Sequence, residues 1–99
     1  MLIYISHPYG GQEEKKQRVK EIIRELTLSH PEYTYISPIH CFGFLYNDVN
    51  YEDGLDMCLN LLAKCEKMYV FGDWKQSRGC TAEVLYAEMH MIPYEIMDK

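Results

Sequence analysis

Lys67-Met-Tyr-Val-Phe71-Gly-Asp-Trp-Lys-Gln-Ser77-Arg-Gly79-Cys-Thr-Ala-Glu83 is the stretch that decides the fold. An apolar run, Lys67 to Phe71, empties into a polar turn containing glycine. The turn opens a helix that carries one carboxylate, Glu83, a turn inside it. A strand feeding a helix in this way leaves free backbone N–H groups and the positive end of a helix dipole at one spot. That spot suits an anion, and Glu83 stands about one turn further on. Ser77 is the expected helix cap and Gly79 the position where backbone can approach a ligand without a Cβ in the way. On spacing alone, a capped helix start with a solvated Glu83 accounts for the pattern equally well.

The same alternation extends in both directions. Met1 to Ile5 reads as a buried strand, ended by the loop Ser6-His-Pro-Tyr-Gly-Gly11. Gln12 to Ser29 reads as a helix, because Val19, Ile22, Ile23 and Leu26 follow the spacing of one helical face. His30-Pro31 stops it, and Tyr33 to Ile36 gives a second strand. Ile39 to Asn50 is expected to be irregular. Tyr51 to Cys65 reads as a helix with Leu55, Leu59 and Leu62 on one side. Thr81 to Met91 and Pro93 to Met97 complete the pattern as helix and strand.

Strands alternating with helices imply an α/β fold with a mostly parallel sheet of about four strands and right-handed crossovers. The expectation is one domain over residues 1–99, a small flavodoxin- or Rossmann-like three-layer sandwich. Such sheets bind ligands beyond the carboxyl ends of their strands, at the switch point in strand order. The loops at that edge are Ser6–Gly11, Ser37–Asn50 and Gly72–Thr81. They hold most of the unusual polar and aromatic residues.

Fifteen acidic against ten basic side chains give a net charge of −5. That balance argues against a nucleic-acid polymer as partner, since such binding usually needs a basic face, but leaves room for a single nucleotide. The apolar fraction of 47% is ordinary for a globular chain, and no run is long enough to cross a membrane. Cys41, Cys58, Cys65 and Cys80 have no zinc-like spacing, so free thiols in a reducing cytoplasm are expected, with no metal and no organic cofactor. A metal held by His40 and Cys41 with Cys58 or Cys65 is the alternative.

Three groups of residues carry a resemblance. They are Ile3-Tyr4-Ile5-Ser6 with Pro8 and Gly10-Gly11, then Asp56-x-x-x-x-Leu61-Leu62-x-x-Cys65, and finally Gly72-x-Trp74-x-x-Ser77-x-Gly79-x-x-x-Glu83-x-x-x-Ala87. In this order, over nearly the whole chain, they resemble the nucleoside 2-deoxyribosyltransferase-like superfamily, which includes 5′-monophosphate N-glycosidases. The resemblance implies that Glu83 is the nucleophile at the anomeric carbon of a nucleotide. It implies that Asp56, easily confused with Asp53, supports the base or sugar. Serine six residues before the glutamate implies a nucleoside 5′-monophosphate substrate and water as acceptor.

By the same resemblance, Ser6, Gly10 and Gly11 with Ser77 and Gly79 would hold phosphate, and either Tyr4 or Tyr9 would orient Glu83. Where the family's phosphate loop often has an arginine, this chain has His7 and Gln12. Tyr9 and Trp74 are further candidates for the substrate, Trp74 through stacking on the base. Phe42, Phe44 and Tyr46 surround the same edge. A chain this short is expected to shield its reaction by forming a homodimer or higher homo-oligomer, with a neighbour's Phe42–Asn50 loop over the pocket. Two other readings remain open on sequence: a nucleotide-binding module without turnover, and a partner-binding domain.

Overall fold

The computed structural model describes residues 1–97. Four strands, β1 (Leu2–Ser6), β2 (Thr34–Ile36), β3 (Lys67–Val70) and β4 (Tyr94–Ile96), form one sheet in the order β2-β1-β3-β4. Every pairing is parallel, with Ile3 opposite both Tyr35 and Lys67, and Ser6 opposite Val70. This is the small flavodoxin- or Rossmann-like α/β arrangement expected from the strand–helix alternation.

The central strand β1 is buried from Ile3 to Ser6, as a parallel sheet covered on both faces requires. Its side chains alternate between two cores. Ile3 and Ile5 pack with Val19 and Ile22 of helix α1 (Glu13–Ser29) on one face. Tyr4 points to the other face and packs with Leu62, Val84 and Ala87. Those three come from helices α3 (Tyr51–Leu62) and α4 (Arg78–Met89) and the core they build. The chain therefore makes three layers, with α1 on one side of the sheet and α3 and α4 on the other.

The connections differ from expectation in two informative places. Residues 38–45 are not irregular: a short helix, α2 (Pro38–Phe42), leads into a 3-10 turn, Gly43–Leu45. Ser37 nucleates α2 by accepting the backbone N–H of Ile39 at 3.1 Å, and Pro38 sits at the first helical position, where its missing N–H costs nothing. Helix α4 starts at Arg78 rather than Thr81, because the Ser77 hydroxyl accepts the Cys80 N–H at 3.1 Å. Glu83 then falls in the second turn of α4, on its buried side. Helix α3 is capped by Asn50, whose side chain accepts the Asp53 N–H at 2.8 Å.

Gly72 ends β3 with φ +72°, and a Cβ there would come within 3.1 Å of Pro8. The loops after β1 and β3 thus lie directly against each other at the switch point. Among the described residues no helix is long and apolar enough to cross a membrane.

Leu62, fully buried between β1 and α4, should tolerate truncation poorly. Leu62→Ala should lower the unfolding free energy by about 2–5 kcal/mol, whereas Asp56→Ala on the exposed side of the same helix should cost about 0.5 kcal/mol or less. Urea titrations of the two variants check this; equal losses would contradict the assignment of the core.

Candidate functional site

The carboxyl ends of β1 and β3 open onto a cavity of about 740 Å³, walled by the loop after β1, the α2 region and the first turns of α3 and α4. Glu83 lines it from α4 while remaining only 5% exposed. Its carboxylate is held at both oxygens. Tyr4, on β1, donates its hydroxyl to Oε2, and Ser6, at the end of the same strand, donates to Oε1 at 2.6 Å. Tyr4 and Ser6 are two residues apart on a strand, so their side chains emerge on the same face and reach one group together.

Burial makes ionisation of Glu83 costly, and the two hydroxyls offset part of that cost. The net effect pushes its pKa from an ordinary 4.5 up to about 7. Tyr4, buried beside that charge, is pushed well above its usual value and stays a donor throughout the neutral range. Cys58 and Cys80 also line the cavity. Burial, reinforced by the charge of Glu83, pushes Cys58 up to about 12 and Cys80 up to about 11, so both remain thiols.

Of the residues expected at the site, Glu83, Tyr9, Gly10, Ser77 and Gly79 all line this cavity. The choice between Tyr4 and Tyr9 is settled in favour of Tyr4 as the partner of Glu83. Tyr9 instead meets Tyr46 edge-on, with ring centres 5.2 Å apart, and the two form part of an aromatic wall with Phe42.

Four expectations need correction. Asp56 is exposed and lies outside the cavity wall. It sits two residues from the cavity-lining Cys58, and so roughly 200° around the helix. Asp53 is exposed as well. Trp74 packs against the core of Tyr4, Leu62 and Met68 rather than on the cavity. Ser6 is fully buried, its hydroxyl spent on Glu83 instead of a ligand. Gly11 does not line the cavity either: with φ +74°, it leaves space for the ring of Tyr46, which would stand 2.9 Å from a Cβ there. Phe42, Leu45, Tyr46 and Val49 line the cavity of their own chain.

Sequence reasoning missed Lys15 and Arg78, the two cations of the wall. Arg78 directly follows the cap, Ser77, and its guanidinium lies 4.1 Å over the ring of Tyr51, the first residue of α3. His7, which stands in the loop where the resemblance would put an arginine, is held below its ordinary pKa mainly by burial, and donates Nδ1–H to the Pro8 carbonyl at 2.7 Å. Its charged form is therefore disfavoured. Asp73 is the wall's other carboxylate besides Glu83. Among the described residues no three His, Cys, Asp or Glu side chains come together in a way that could hold a metal ion. All four cysteines are free.

A parallel α/β sheet with a hydroxyl-held acid facing a cavity at its switch point defines the class of this protein. Within that class it belongs to the family described as Domain of unknown function (DUF7768), which it matches over residues 1–97. No curated protein matches the chain.

The raised pKa of Glu83 has a sign that stability measurements can read. Below pH 4.5 the group is protonated in both states. Between 4.5 and about 7 the unfolded chain gives up the proton while the folded chain keeps it, so stability falls as pH rises. The loss amounts to about 3 kcal/mol by pH 8. Glu83→Gln should therefore gain stability relative to the unsubstituted protein between pH 5 and pH 8. Urea midpoints at both pH values check this, and a difference independent of pH would mean that Glu83 titrates normally.

Proposed function

We propose that the protein cleaves, or transfers across, the N-glycosidic bond of a nucleoside 5′-monophosphate, with Glu83 as nucleophile. One observation carries this reading: a nearly buried carboxylate, fixed at both oxygens by hydroxyls, forms part of the wall of a cavity large enough for a nucleotide. Each oxygen uses one lone pair on its hydroxyl and keeps another for a ligand. The resemblance of the Ser77-x-Gly79-x-x-x-Glu83 motif to nucleoside 2-deoxyribosyltransferase-like enzymes supports the same assignment.

The chemistry follows from those groups. The Glu83 carboxylate attacks C1′, and the C–N bonding pair leaves with the base, which takes up a proton. The glycosyl ester is then opened by water at C1′, or by another base in the transfer reaction. The hydroxyls of Tyr4 and Ser6 aim the carboxylate and moderate its basicity. Tyr9, Phe42 and Tyr46 offer ring surfaces to the base. The first turn of α4, with its free N–H groups, faces the anionic end of the substrate. Asp73 takes the place expected of Asp56 as the second acid of the cavity. No metal or organic cofactor enters the scheme. A homodimer or larger assembly would restrict water further, and sedimentation of the purified protein tests that part.

Asp56's place outside the cavity favours a second reading, a nucleotide-binding module without turnover. Monophosphates would then raise the melting temperature by mass action while no base is released.

Incubation with ribo- and deoxyribonucleoside monophosphates, followed by chromatography, should detect free base. Glu83→Gln should abolish its release, and release that persists would remove Glu83 as nucleophile. The rate should rise with pH through about 7, as the carboxyl group loses its proton. Tyr4→Phe removes a hydrogen bond that favours the ionised form, so its midpoint should move to higher pH and its maximal rate should fall. A Tyr4→Phe profile superimposable on the unsubstituted one would contradict the role given to the hydroxyl.

A further inference from the structure

We infer that Arg78 is the residue that selects a phosphorylated substrate, and that the ring of Tyr51 is its resting place when no anion is bound. The inference rests on the reading of the cavity as a nucleotide site and deepens it. The chain carries more acids than bases, yet the two long cationic side chains of the cavity wall, Lys15 and Arg78, form no ion pair among the described residues. Asp73, in the same wall, engages neither of them. His7 is held below its ordinary pKa mainly by burial, which disfavours its charged form. The wall carries two acids, Glu83 and Asp73, yet neither holds Arg78 or Lys15 in an ion pair, so a guanidinium stands available for an anionic ligand.

What Arg78 does touch is informative. Its guanidinium lies over the Tyr51 ring at 4.1 Å, linking the first residue of α4 to the first residue of α3 across the cavity wall. A cation resting on an exposed ring is held weakly compared with a guanidinium making two parallel hydrogen bonds to a phosphate. Ring contact keeps the side chain ordered and near the cavity without neutralising it. A phosphate entering beside Ser77 and Gly79 meets Arg78 one residue from the helix cap, and the guanidinium exchanges its ring for the anion. A neutral nucleoside offers nothing for which Arg78 would leave Tyr51.

Calorimetric titration tests this in the Glu83→Gln background, where no ligand is consumed. The probes are ribo- and deoxyribonucleoside 5′-monophosphates, the matching nucleosides, and inorganic phosphate. Arg78→Met should weaken monophosphate binding by about tenfold or more while changing nucleoside binding less than about twofold. Arg78→Lys should recover only part of the loss, because an ammonium lacks the two-point geometry. Tyr51→Leu should tighten monophosphate binding about two- to threefold, since no ring then competes for the cation. Arg78 is exposed, so an unchanged melting temperature should accompany its loss.

Monophosphate binding that Arg78→Met leaves intact would overturn this inference alone. An equal loss for monophosphate and nucleoside would also overturn it, as a general defect of the cavity. Weaker monophosphate binding in Tyr51→Leu would make Tyr51 a ligand contact and end its role as a resting place. If no monophosphate binds even with Arg78 present, the nucleotide reading falls and this inference falls with it.

Discussion

A carboxyl group removed from water either keeps its proton or is compensated by hydrogen bonds, and Glu83 is balanced between the two. Burial pushes the proton on; the hydroxyls of Tyr4 and Ser6 pull it off. Both donors come from β1 and the acceptor from α4, 79 and 77 residues away in sequence. These bonds join the first strand to the last helix, so the site exists only once the sheet and its second layer have assembled. The group that would do the chemistry is therefore also a point where folding and ionisation are coupled, a common trade between stability and function.

The topology explains why this point is a cavity wall. Chain order runs outward from β1 to β2 on one side and from β3 to β4 on the other, so the loops after β1 and β3 part at their carboxyl ends. Gly72 lets those loops touch below, while the α2 region and the first turns of α3 and α4 rise around them. An aromatic surface from Tyr9, Phe42 and Tyr46 and a cationic one from Lys15 and Arg78 border the same space. The fold supplies the opening, and the side chains supply its chemical character.

Much of this was legible in the sequence, for identifiable reasons. The Val19–Ile22–Leu26 face of α1 has a helical period, and the apolar runs of β1 and β3 are too short for helices and end in glycine- or proline-containing loops. Glu83 could be found because a strand, a glycine turn and a helix fix its place along the chain. Asp56 was misplaced because counting residues to Glu83 says nothing about rotation around a different helix. The Leu55, Leu59 and Leu62 stripe does not resolve it, since Asp56 falls only about 60–120° from those residues. Gly54 and Cys58, on the opposite side of the helix from Asp56, line the cavity. Trp74 was misjudged because an aromatic residue in a loop can turn to the core as easily as to a ligand. Arg78 escaped notice because a charged residue at a helix start is usually solvated, and its relation to Tyr51 spans two elements distant in sequence.

The two cavity thiols have a practical corollary. At neutral pH, Cys58 and Cys80 carry almost no thiolate, and the thiolate is the form that peroxides and alkylating reagents attack. The pocket thus presents its two sulfur atoms as neutral thiols, and the buried acid beside them gains no thiolate neighbour to oppose its own ionisation.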